Sequence, residues 1–310
     1  MTYGTPRDAG DVPGYLARVR GGKEPSPELV TELISRYEQI GWSPLVDRTR
    51  AQAAALEAAL GEGWRVRAGM RFSAPSISDA VDALGDVDRI VGIVMSPQFS
   101  PLLMAGYGRA LEEATAGRGV TTTLVGAWHR EPTFIDALVA LVSDALAESG
   151  PGGRRAGTGG PGGRRGRSPR LVVVFTAHSL PRRVFDAEPE YVAQLRETAD
   201  LVAERLGLAP SAWRWAYQSA GHTQEEWLRP DLKELFPEIA AAGATEVLVV
   251  PVQFLADHLE VLYDLDIAAA AEAAACGLLY RRIRMPNDDP AFIGALAAIA
   301  RRAVAEPSAV

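Results

Sequence analysis

Along this chain, short β-rich runs alternate with longer stretches in which apolar residues recur every three or four positions. The short runs are RVRAG (65–69), RIVGIVMS (89–96), VTTTLVGAW (120–128), LVVVFTAH (171–178), WRWAYQS (213–219), EVLVVPVQF (246–254) and LLYRRIRM (278–285). Their β-branched and aromatic content predicts strands. Between them SPELVTELISRYEQI (26–40), RTRAQAAALEAAL (48–60), PTFIDALVALVSDALAE (132–148) and PEYVAQLRETADLVAERLG (189–207) carry helical spacing. Ser26 is placed to cap the first of these, with Pro27 at its first helical position. Strands that are apolar on both faces, alternating with helices, predict an α/β fold of parallel sheets covered on both sides. Two similar halves with a cleft between them is the simplest arrangement. Ligands then bind beyond the carboxyl ends of the strands.

Residues 149–170, SGPGGRRAGTGGPGGRRGRSPR, interrupt the pattern with six arginines and no acid. This composition cannot bury enough apolar area to order itself, so a disordered surface insertion is expected. An RNA-binding arm would need interleaved aromatics, which the segment lacks. The chain therefore reads as an N-terminal half at 1–148, the insertion at 149–170, a second half at 171–288 and a closing helix at 289–310 that packs back on the first half.

Composition adds limits rather than a function. Apolar residues make up 47% of the chain, enough for a packed core. The net charge of −7 and a pI near 5.3 argue against nucleic acid or an anionic membrane as partner. One cysteine, Cys276, cannot build a disulfide, zinc cluster or iron–sulfur cluster within the chain, and it fits a reducing cytosol. No run approaches the ~18–20 apolar residues of a membrane span. MTYGTPRDAG lacks the apolar core of a signal peptide. A soluble cytoplasmic protein without stable membrane insertion is expected.

Two strand ends carry unusual residues. LVVVFTAHSLP ends in His178, one of only four histidines. VLVVPVQFLADHLEVLYDLD ends in Asp257, His258, Glu260, Asp264 and Asp266. If the chain is helical from Leu255, Glu260 and Asp264 share a face at i, i+4 and His258 points elsewhere. Taken singly, His178 is as readily a buried histidine bonded to backbone, and the acidic run a solvated helix face. Together they form a constellation, because imidazole plus carboxylate suits a divalent first-row metal or proton abstraction near neutral pH. His222 and His129 read as loop residues. Nucleophile-elbow, Walker and dinucleotide patterns are absent.

These segments together resemble the ferrochelatases, enzymes that insert ferrous iron into a porphyrin. YGTP (3–6), RYEQIGWSPL (36–45), SPQFS (96–100), EPTFIDALV (131–139), FTAHSLP (175–181), QSAGHTQEEWLRPDL (218–232) and PVQFLADHLEVLYDLD (251–266) occur in the family's order. AHSLP combined with DHLEVLYD is the most specific pair. The chain most resembles the soluble form of Gram-positive bacteria and actinobacteria, for which the implied substrate is coproporphyrin III rather than protoporphyrin IX. The resemblance implies two Rossmann-like, chelatase-type halves with the porphyrin between them. It places the central histidine at His178 and the catalytic glutamate at Glu260, both facing the metal. Tyr3 would face the metal from the other side of the ring, Val19 and Arg20 would contact the porphyrin, and Asp264 would continue a path for protons or metal. It further implies a monomer with no prosthetic group and no iron–sulfur cluster, with Fe²⁺ as a substrate.

The implied mechanism has a physical rationale. A flat porphyrin points two N–H protons inward. Bending the ring tilts a pyrrole lone pair toward incoming Fe²⁺, and contacts at the ring periphery can hold that distortion. His178 would accept a pyrrole proton, Glu260 would bring in the metal and balance its charge, and arginines such as Arg20 would meet propionates. Four features depart from the family. The chain begins two residues before Tyr3, where the family has a central apolar strand of roughly five to eight residues, so a first strand cut short and a true start upstream are expected. Gln98 stands where histidine is common, which removes an accessory metal ligand. Ala268 replaces the next carboxylate of the acidic line. Trp42 replaces small residues and alters the cleft wall. Competing readings are the same chemistry on protoporphyrin IX, metal insertion into a sirohydrochlorin-type ring, and a non-catalytic porphyrin-binding protein.

Overall fold

The structure, a computed structural model, describes residues 1–148, 170–221 and 225–305. The Gly/Arg-rich insertion, apart from Arg170, and His222 lie outside the described residues. The first half runs α1 (Val12–Val19), α2 (Pro27–Gln39), α3 (Leu45–Leu60), α4 (Ile77–Asp82), β1 (Arg89–Gly92), α5 (Pro101–Thr115), β2 (Thr121–Leu124) and α6 (Pro132–Glu148). The second runs β3 (Leu171–His178), α7 (Arg182–Ala187), α8 (Pro189–Arg205), β4 (Trp213–Gln218), α9 (Leu232–Ala241), β5 (Glu246–Pro251), a π-helix (Glu260–Ala269), α10 (Ala270–Ala275) and β6 (Leu279–Arg282). The closing helix α11 (Pro290–Ala305) packs on α3 and α6. No helix among the described residues is long and apolar enough to cross a membrane.

The second sheet has the order β4-β3-β5-β6 with every pair parallel. Its central strands β3 and β5 are buried on both faces, as their unbroken apolar runs require. Val173, Phe175, Leu248 and Val250 point into a core shared with α6, α8 and α11. Val174, Ala216, Val247 and Val249 point the other way, against α9 and against Leu265 and Ala269 of the π-helix. At α2 the local signals act as read: the Ser26 hydroxyl accepts from the Leu29 amide and Pro27 opens the helix.

The first sheet is smaller than the sequence suggests. β1 and β2 form a parallel pair of four residues each, shorter than the predicted runs 89–96 and 120–128. Residues 65–69 form no ladder, contrary to the strand expected there. The reason lies beside them. A slot of about 590 Å³ separates Trp64–Gly69 from the edge of β1 opposite β2, and Leu56, Leu60, Val81, Leu111 and Leu296 also line it. A strand needs a partner for its amides and carbonyls, and across the slot neither edge has one. Among the described residues only Met1–Tyr3 spans the gap, at its carboxyl end. Met1 nitrogen donates to Ile93 O (2.6 Å) and the Met95 amide donates to Met1 O (2.9 Å). On the other side Thr2 N donates to Gly69 O, and Arg71 N and Phe72 N donate to Thr2 O and Tyr3 O.

The halves are clasped near the strand ends. Gln52 on α3 donates through Nε2 to Leu255 O (3.0 Å) and to Asn287 O (2.9 Å). Buried Gln98 reaches from the first half to Thr198 on α8, donating from Nε2 to Oγ1 at 2.9 Å. The glutamine of SPQFS thus joins the two halves.

Candidate active site

Parallel strands bring the carboxyl ends of β3, β4 and β5 to one edge, and His178 closes β3 there, paired in register with Gln218. Its backbone N–H donates to Gln253 Oε1 (2.9 Å), and Gln253 Nε2 donates to the Tyr191 hydroxyl (2.8 Å). His178 Nδ1 bonds the Ser179 carbonyl. A carbonyl can only accept, so Nδ1 carries a proton there and Nε2 is the nitrogen left to face the cleft. That nitrogen faces Glu260 Oε1 at 3.6 Å.

Glu260 comes from the first turn of the π-helix. The chain from Phe254 to His258 is irregular, so the helix starts later than the sequence reading assumed. This corrects the placement of His258. It turns back onto Glu260, with Nε2 3.4 Å from Oε2, while Nδ1 bonds Ala256 O at 2.9 Å. Phe254 packs edge-on against its ring. Both His258 nitrogens face acceptors, so the doubly protonated form fits best. Its pKa rises accordingly: burial works against the charge, but the Glu260 carboxylate outweighs it. The two histidines flanking Glu260 are therefore unlike. His258 is buried against Glu260 and pairs with it, whereas His178 stands at the strand end with Nε2 turned to the cleft.

Burial also opposes the Glu260 charge, yet His178 and then His258 hold its pKa down at about 2. The sign of the resulting stability effect follows. An unfolded chain takes up this proton near the ordinary value of 4.5, the folded one only near 2. The ionised carboxylate stabilises the fold above that ordinary value, and the contribution fades as pH falls through the window between the two. Thermal melts of the protein and of Glu260→Gln are expected to converge as pH drops from 4.5 to 2. A constant gap between them would show that histidine neighbours do not hold the carboxylate ionised.

The acidic run divides in two. Asp266 takes two bonds from Arg282 (2.5 and 2.7 Å), and Asp257 is held by Arg282 and Asn287. Glu260 and Asp264 remain for the cleft. Asp264 lies 3.7 Å from Arg36 on α2, and burial raises its pKa despite that cation. Ala268 follows on the same helix, half-buried.

Tyr3 stands on the first half, 43% exposed, its ring edge-on to Phe72 at 4.6 Å. Burial raises its pKa; Arg71 opposes the rise and Glu260 adds to it, which sets the phenol within electrostatic reach of that carboxylate. Arg71 was not singled out in the sequence. It is half-buried, lies over the rings of Phe72 (4.7 Å) and Tyr107 (5.5 Å), and has no carboxylate partner among the described residues. Val19 and Arg20 close α1, the first half-buried and the second exposed. Trp42, with φ 72°, stacks on Tyr37 and shares an apolar cluster with α1 and with Leu259 at the mouth of the π-helix. Trp227 approaches His178 to 6.5 Å and lies against Gly221, where a Cβ would strike its ring. His129 is buried away from this site and pairs with Glu197.

Residues 1–304 match the ferrochelatase family. The chain is 37% identical over 316 residues to the coproporphyrin III ferrochelatase of Halalkalibacterium halodurans, covering 99% of this chain and 96% of that protein. It is 36% identical over 309 residues to the coproporphyrin III ferrochelatase of Bacillus subtilis, covering 96% and 94%. The ferrochelatase of Herpetosiphon aurantiacus is 35% identical over 305 residues, with 96% and 95% covered. Among solved structures, SirB from Bacillus subtilis with Fe³⁺ superposes with a TM-score of 0.55 at 14% identity, covering 84% of this chain and 90% of that one. At that identity the likeness shows the fold alone, and it bears out the α/β arrangement of parallel sheets flanked by helices. The chain, matched from residue 1 to residue 304, belongs to the ferrochelatase family.

Proposed function

We propose that the protein inserts Fe²⁺ into coproporphyrin III, with His178 as the base that takes a pyrrole proton. The observation that carries this reading is the position of His178 Nε2, turned to the cleft by the Nδ1 bond and set 3.6 Å from Glu260, with Tyr3 on the opposite half. Insertion exchanges two pyrrole protons for one dication. A neutral imidazole beside an ionised carboxylate can accept a proton and balance incoming positive charge in one place. His258 keeps Glu260 ionised and fixed. Asp264 would be the next station for protons, with Arg36 beside it. On the first half Tyr3 would cap the far face of the ring, and Val19 would line its edge.

Two lines support coproporphyrin over protoporphyrin. The relatives from Halalkalibacterium halodurans and Bacillus subtilis carry that substrate in their names. Arg71, and Arg20 at the end of α1, are guanidinium forks suited to propionates, of which coproporphyrin has two more. The test is anaerobic Fe²⁺ insertion followed by porphyrin absorbance. Faster turnover of coproporphyrin III than of protoporphyrin IX supports the reading. Equal rates overturn the substrate assignment, and porphyrin binding without any turnover overturns the enzyme.

A further inference from the structure

Behind His178, on the face of the second sheet covered by the π-helix, lies a group of neutral polar side chains, two of them without hydrogen-bond partners. Thr176 precedes His178 by two residues on β3, and Gln218 is its register neighbour on β4. The alternation of the strands puts both on the side of Val174 and Ala216, which pack against Leu265 and Ala269 of the π-helix. Thr176 is 0% exposed and Gln218 2%. Thr176 Oγ1 and both amide ends of Gln218 make no hydrogen bond. Ser219 follows at φ 58°, a conformation unusual for a non-glycine residue. Its buried hydroxyl lies against Asp264 without an aligned bond.

Three unpartnered polar atoms in one patch, Thr176 Oγ1 and the two amide ends of Gln218, would be costly if dry. A buried water needs two to four polar partners, and a patch like this supplies them. The lining is hydroxyl and amide, without imidazole, thiolate or further carboxylate. It can order water but offers poor competition for the hydration shell of Fe²⁺. At the far end Arg36 adds positive charge beside Asp264, which also disfavours a dication.

We infer that Thr176, Gln218 and Ser219 hold a cluster of ordered water between His178 and Asp264, and that this cluster carries away the protons released on metal insertion. The inference rests on the proposed function. Two pyrrole protons leave per metal inserted. Each taken up at His178 Nε2 passes along hydrogen-bonded water to the Asp264 end and on to solvent, which restores the free lone pair. Thr176, Gln218 and Ser219 are positioning residues in this scheme, since they touch water rather than porphyrin.

Thr176→Val and Gln218→Met keep volume and remove the polar atoms. In the full chain each is expected to lower kcat about tenfold or more, to leave the KM values for porphyrin and Fe²⁺ within about twofold, and to enlarge the solvent deuterium isotope effect on kcat. Thr176→Ser should restore all three. Unchanged kcat and isotope effect in both folded variants would overturn the inference. So would a crystal structure of the parent protein with no ordered water at Thr176 Oγ1 or the Gln218 amide, a measurement that does not depend on the variants folding. Failure of the parent to insert iron into any porphyrin would instead sink the proposed function, while the water test would still be read on its own.

Discussion

Replacing His178 with alanine is expected to lower the rate of iron insertion about a thousandfold, the scale of losing a positioned general base. Porphyrin affinity, read by quenching of porphyrin fluorescence, should change by less than about threefold, because ring contacts rather than the imidazole supply most of the binding. The split matters more than the size. His178 is fixed by two polar contacts, its amide to Gln253 and its Nδ1 to Ser179, and its free nitrogen is aimed into the cleft. Its truncation should therefore spare the scaffold. A variant that binds porphyrin normally and still turns over within tenfold of the parent would remove His178 from the chemistry, and Glu260 alone would have to account for catalysis.

A larger effect on stability is expected from filling the slot in the first sheet. Joining five or six apolar, β-branched residues ahead of Met1 should raise Tm by about 5 °C, for a gain of about 3 kcal/mol in a chain of this size. The slot lies between two backbone edges, Trp64–Gly69 and β1, with room for an extended segment. Its two walls, Trp64–Gly69 and β1, run toward Met1–Tyr3, which already bonds to both in parallel register. An amide at the Met1 nitrogen can make the same bond to Ile93 that the present group makes. New ladder bonds would pair buried backbone on both sides, and alternate side chains would meet Leu56, Leu111 and Leu296. An extension with proline at its centre lacks a donor and should give little of the gain. Equal melting of the apolar and proline-bearing extensions, measured calorimetrically, would mean that the slot does not accept a strand.

The centre of the second half was legible in the sequence because β3 and β5 are buried on both faces, whereas β6 keeps only Leu279–Arg282 of the run read at 278–285. LVVVFTAH and EVLVVP have no polar alternation to confuse their reading, and β3 begins and ends where that pattern does. Residues 65–69 were misread because a strand depends on its neighbours, and the space beside them is open. The π-helix was not legible at all. Val261, Leu265 and Ala269 are buried four residues apart, a spacing that an α-helix and a π-helix satisfy about equally well. His258 was misplaced for a related reason: a helix drawn from Leu255 turns it away from Glu260, whereas an irregular approach lets it turn back. The positions of His178, Glu260 and Asp264 could be read from motif and strand end alone. Gln218 and Thr176 could not, since in sequence they are ordinary polar residues at the ends of strands.

The shared core has a consequence for how this molecule folds. Leu56, Leu60, Phe134 and Leu138 of the first half, Phe175 and Leu195 of the second, and Phe292 and Leu296 of the closing helix all belong to one buried cluster. Neither half encloses a complete interior by itself. Residues more than 200 positions apart must meet before that cluster is dry, as the Gln52–Leu255 and Gln52–Asn287 bonds also require. The two halves are thus a division of architecture and not of thermodynamics. They should melt in one cooperative transition, because α3 and α6 cannot bury their inner faces without α11.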